Sequence, residues 1–190
     1  MDKRTFLLRG ASLAVLSVTA ACTTTTTDAA NPAARRRSID AAAEEALARL
    51  YQQVPNSKEL VSQARGVLVF PNVVSAGFLV GGAAGDGVLR KGGRSVRYHR
   101  MTEGSVGLLA GAQSQALFVL FMTEDALDRF EASRGWTAGV DGSIALLNVG
   151  AAGTVTTLTA RQPIVGFVLV NAGLMADVSL SGAKITPLEA

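Results

Sequence analysis

The chain has 190 residues, enough for one domain with a sizeable core, and 48% of them are hydrophobic against 17% charged. Its net charge of +3 becomes +1 once residues 1–21, which hold Lys3, Arg4 and Arg9 against Asp2, are set aside. That balance excludes a dedicated nucleic-acid binder, which needs a concentrated basic surface, and a single cysteine excludes an internal disulfide.

The N-terminus reads as an export signal over residues 1–21. "MDKRTFLLRG" is a positive leader and "ASLAVLSVTAA" an apolar stretch too short to span a bilayer. It ends in small residues directly before Cys22, the position of the diacylglycerol acceptor in bacterial lipoproteins, although Thr19 stands where leucine is usual. The competing reading is an ordinary secretory signal with an incidental cysteine. Lipidation at Cys22 would place the protein in the cell envelope. The outer membrane is the expected site, because Thr23 is not the aspartate that retains such proteins in the inner membrane. Residues 22–38 would then be the lipidated Cys22 and a flexible tether, with "TTTTTDAANPAARRR" low in apolar bulk. The remaining domain spans 39–190.

Residues 39–53 carry Ile39, Ala43, Ala46, Leu47 and Leu50 at helical spacing, and Pro55 stops the run. Asn56 opens a second short helix to Ala64, with Glu59 as its capping-box partner. The apolar stripe of these helices packs on the core or lies on a membrane. After Gly66 the period changes. "VLVF", "ALFVLFM" and "PIVGFVLV" are continuous apolar runs, as expected of strands covered on both faces. "TEDALDRFEAS" between them reads as a helix capped by Thr123, with Leu127 and Phe130 on one face. Trp136 reads as a core residue. "GLMADVSLS" (173–181) alternates like a strand with one wet face.

"AGFLVGGAAGDGVL" holds five glycines in fourteen residues, Gly77, Gly81, Gly82, Gly85 and Gly87. A phosphate loop would need Gly-Lys-Ser/Thr opening a helix, and a dinucleotide fingerprint would need a third glycine where Arg90 stands. Asp86 and the glycines also exclude a membrane helix. These glycines therefore serve bending, bulges and close backbone approach in a sheet. The expected fold is α+β and mainly β: a strongly curved antiparallel sheet or small barrel with N-terminal helices packed against it.

"RKGGRSVRYHR" reads as a hairpin turning at Gly92-Gly93. Arg90, Lys91, Arg94, Arg97 and Arg100 are its cations and the candidate lipid-headgroup site. Strict alternation places Arg94 and Arg100 on one face and Arg97 on the other. The bland alternative is a hairpin kept soluble and protected from edge pairing by its charges. His99 sits inside the same stretch as the only histidine, beside arginines that disfavour its protonated form, and reads as a surface or sheet residue. No spacing of His, Cys or carboxylates suggests a metal site or a catalytic constellation. The chain is expected to be non-enzymatic, without metal or other cofactor.

Four segments together resemble the SYLF domain family: "ARGVLVFPNVVSAGFLVGGAAGDGVLR", "GSVGLLAGAQSQALFVLF", "GWTAGVDGSIALLNVGAAG" and "GLMADVSLSGAKIT". The resemblance covers roughly residues 40–190. It implies a β-rich domain with helices against it, lipid binding and no known catalysis. Bacterial members are mostly exported and often lipoproteins. Eukaryotic members engage phosphoinositide membranes through a basic amphipathic N-terminal helix, and some engage actin. The corresponding segment here, 39–65, carries Arg49, Lys58 and Arg65 against Asp40, Glu44, Glu45 and Glu59, and so is not basic. The expected partner is an anionic phospholipid membrane, with no nucleic acid. The alternative is a membrane-tethered interaction or structural domain with an envelope protein partner.

Overall fold

The computed structural model describes residues 31–78, 80–106, 111–147, 162–170, 173–174 and 180–189. Residues 1–30, which include the expected export signal and Cys22, lie outside them. So do most of the "GLMADVSLS" segment and part of the "GWTAGVDGSIALLNVGAAG" segment.

Helix α1 (Pro32–Gln53) is followed by α2 (Ser57–Gln63). Four strands come next: β1 (Gly66–Phe78), β2 (Val80–Lys91), β3 (Arg94–Val106) and β4 (Gly111–Phe121). Helix α3 (Glu124–Ala132) precedes the short β5 (Trp136–Thr137) and β6 (Ala145–Leu146). β7 (Ile164–Val170), β8 (Gly173–Leu174) and β9 (Lys184–Pro187) complete the chain.

The strands form one sheet in the order β5-β9-β3-β2-β1-β4-β7-β6, with β8 also paired to β7. Among the described residues every pairing between these strands is antiparallel except β6 on β7. The sheet is open but strongly curled. A Cβ placed on Gly142 would lie 3.0 Å from Trp136 of β5 and 3.2 Å from Ile164 of β7, so residues from the two ends of the strand order meet around one cluster. The expected α+β, mainly β, curved sheet with helices against it is the fold observed.

The continuous apolar runs are explained by two cores, one on each face. Leu68, Phe70, Leu117, Val119, Phe121 and Val168 face a core closed by Leu127 and Phe130 of α3 and by Trp136. Their neighbours Val67, Val69, Ala116, Phe118, Leu120, Val165 and Phe167 face a second core covered by Ile39, Ala43, Ala46, Leu47 and Leu50 of α1. Period-two side-chain alternation sends adjacent residues to opposite faces, so a strand buried on both sides must be apolar at every position.

Gly87 shows why one glycine of the opening stretch is required. A Cβ there would come within 2.5 Å of both the Phe70 ring and the Val69 carbonyl oxygen. The close approach occurs where β1 shifts register against β2, between Val69 and Val74. Pro71 and Asn72 sit within that irregularity.

Two helical boundaries differ from the sequence reading. The stretch assigned to a tether through residue 38 is helical from Pro32. Asn31 caps it, its side chain accepting from the backbone N–H groups of Ala33 and Ala34, and Pro32 occupies the first turn. The second helix has no capping box. Asn56 adopts a left-handed backbone and makes no side-chain cap. Ser57, fully buried, holds the corner instead, its Oγ donating to the carbonyls of Val54 (2.7 Å) and Leu50 (3.2 Å).

Candidate functional site

The β2–β3 hairpin turns at Gly92 (φ 56°) and Gly93 (φ 78°). Two successive positive φ values are what a tight two-residue hairpin requires, and only glycine adopts them without strain. The register then slips. Arg90 pairs with Ser95, but Leu89 pairs with Arg97, which leaves Val96 as an inserted residue. Val96 is 48% exposed.

This bulge corrects the facial assignment of the cations, because one inserted residue inverts the alternation beyond it. Lys91 pairs across the turn with Arg94, and its ammonium donates to Glu131 of α3 at 2.8 Å. Arg97 donates to the Glu131 backbone carbonyl at 3.2 Å. Lys91, Arg94 and Arg97 therefore lie on the α3 side. Arg90 and Arg100 lie on the α1 side. Arg90 donates to Glu44 at 3.2 Å and to the Gly93 carbonyl at 2.7 Å. Arg100 donates to Asp86 through Nε at 2.7 Å and Nη2 at 3.1 Å.

Four of the five hairpin cations thus serve the fold. Among the described residues, Arg94 alone of the five has no side-chain hydrogen bond or ion pair. Asp86 also accepts from Arg35 of α1, so one carboxylate clamps the first turns of α1 to β2 and β3. Burial opposes its ionisation, but the hydrogen bonds from Arg100 and Arg35 outweigh burial and hold its pKa below the ordinary value. Farther along α1, Asp40 accepts from Ser95 at 2.7 Å and from Tyr98 at 2.8 Å. Arg36 lies 5.9 Å from the centroid of the Tyr98 ring.

A groove of about 520 Å³ opens between α1, α2 and the hairpin turn. Leu47, Ala48, Tyr51, Val61 and Val67 supply its apolar wall. Lys58, Arg90, Glu44 and Ser62 supply its polar side chains, and Gly92 and Gly93 line one side. Arg90 is largely buried there, and among the described residues its Nε has no hydrogen-bond partner. Among the described residues Lys58 makes no side-chain hydrogen bond or ion pair. No single stretch of sequence announces this groove, because it is assembled from three segments.

His99 is buried in the sheet, not at the surface, 5.0 Å from the Phe130 ring centroid. Among the described residues neither ring nitrogen has a hydrogen-bond partner. Burial, reinforced by the nearby Arg97 charge, pushes its pKa down to about 4. Trp136 is a core residue at 2% exposure, as read from sequence. Among the described residues no three His, Cys, Asp or Glu side chains group as a metal site, and no helix is long and apolar enough to cross a membrane.

The fold and its two-sided core define a curled β-sheet domain with an electrostatically clamped N-terminal helix. Residues 102–189 match the family model described as Ysc84, Las17-binding protein actin regulator. The match, over a little under half of the chain, is consistent with the SYLF family. No curated protein matches the chain.

Proposed function

We propose that this is a non-enzymatic envelope lipoprotein, anchored through Cys22, whose SYLF domain docks on anionic phospholipid through the tip of the β2–β3 hairpin. The observation that carries the reading is a two-glycine turn followed by Arg94, a cation with no internal partner among the described residues, two residues from the exposed Val96. A cation beside an exposed apolar side chain suits the headgroup level of a bilayer, where the charge meets phosphate and the aliphatic group meets the acyl boundary. Lys91 and Arg97 stand on the same side, with Glu131 as their shared internal partner residue. Phospholipid specificity thus rests on charge, and each basic residue near an anionic surface contributes about 1 kcal/mol.

Arg94→Glu tests this directly. In flotation of residues 23–190 with anionic vesicles, charge reversal removes one attraction and adds one repulsion, a loss of about 2 kcal/mol. Arg90→Gln, on the opposite side, leaves vesicle binding much less changed. Equal binding of Arg94→Glu and the parent chain would remove the hairpin tip from the membrane contact.

A further inference from the structure

The groove between α1, α2 and the hairpin turn is not used by a surface contact, and its chemistry is not that of a headgroup site alone. We propose that it binds a long-chain fatty carboxylate, the aliphatic chain lying along Leu47, Ala48, Tyr51 and Val61 and the carboxylate held between Lys58 and Arg90. This inference rests on the membrane reading above and names a ligand class for the same end of the molecule.

Three observations select that occupant. The volume of about 520 Å³ falls within the range of ligand pockets that enclose one small apolar molecule. The wall is largely apolar, with Ser62 as an uncharged polar member, while the charged groups number two cations, Lys58 and Arg90, and one carboxylate, Glu44. Glu44 already pairs with Arg90, so the groove retains one uncompensated positive charge, matched by a monoanion. Gly92 and Gly93 line the groove at the turn that the membrane reading places at the bilayer, so a chain could enter from the acyl boundary without crossing water.

The test is equilibrium dialysis of the full chain carrying Cys22→Ser, so that no acyl anchor competes, with radiolabelled palmitate kept below its aggregation concentration. The wild-type groove gives saturable binding of one palmitate per chain. Ala48→Trp, at an exposed position of α1, fills the groove without disturbing either core. Displacing even two methylenes of the ligand weakens binding by about tenfold. Lys58→Glu weakens it by about threefold. Absence of saturable binding, or unchanged affinity in Ala48→Trp and Lys58→Glu, overturns the inference. Vesicle flotation of the same chains separates the two readings. Flotation that depends on Arg94 without palmitate retention overturns the groove and leaves hairpin docking intact. Palmitate retention without such flotation supports the groove and removes hairpin docking.

Discussion

His99 is the residue whose environment departs furthest from its solution chemistry. It is 3% exposed, lies against Phe130 and, among the described residues, has no hydrogen-bond partner at either nitrogen. Its folded pKa of about 4 stands below the ordinary 6.5. As pH falls, the unfolded chain therefore takes the proton first. The stability that depends on neutral His99 is complete above pH 6.5 and declines as pH falls through the window down to about 4. Between about pH 7 and pH 4.5 the wild type loses about 2.5 kcal/mol through this group. His99→Phe, which keeps an aromatic ring beside Phe130, removes that loss. Urea unfolding of both chains at the two pH values measures it, and identical pH dependence would show that His99 is not buried neutral. A lone histidine among arginines predicted a disfavoured proton from the sequence. Its burial was hidden, because α3 and β9, which cover that part of β3, are distant in the chain.

At the scale of elements, α1 is fastened to the sheet twice. Ile39, Ala43, Ala46, Leu47 and Leu50 bury its apolar stripe, and Asp86, Asp40 and Glu44 tie its length to β2 and β3. Asp86→Asn keeps the shape and removes the charge that both Arg35 and Arg100 use. The expected cost is about 1–2 kcal/mol, the lower part of the range for hydrogen bonds to charged groups, since the site is partly exposed. Amide exchange should quicken in the first turns of α1 and stay slow in β1, β4 and β7. Uniform exchange across all of them would mean that Asp86 does not clamp the helix. The stripe on α1 was legible because helical periodicity is a local signal. So were the three doubly buried strands, from their unbroken apolar runs. The start of α1 was also encoded, in Asn31-Pro32, but the surrounding Thr, Ala and Arg composition obscured it. The bulge at Val96 was not legible. Register depends on which residues pair across the hairpin, and the one-residue slip moved Arg94 to the face of Arg97.

The whole molecule joins a curled sheet, clamped α1 and a hairpin whose turn lies beside the α1–α2 groove. The sequence reading assigned five cations to one headgroup site. The folded chain uses Arg90 and Arg100 on α1 and β2, and Lys91 and Arg97 on α3, leaving Arg94 as the one of the five without an internal partner among the described residues. Membrane attraction from this domain should therefore be modest and strongly screened, since exposed charges interact over about 8 Å at physiological salt. Insertion into lipid without charge recognition would instead be insensitive to salt. The most direct measurement is flotation of residues 23–190, which lack Cys22, with neutral and anionic vesicles across a salt series. The account predicts binding to anionic vesicles that falls as salt rises, and little binding to neutral ones. Failure to float with anionic vesicles even at low salt would contradict it and leave membrane attachment to Cys22 alone.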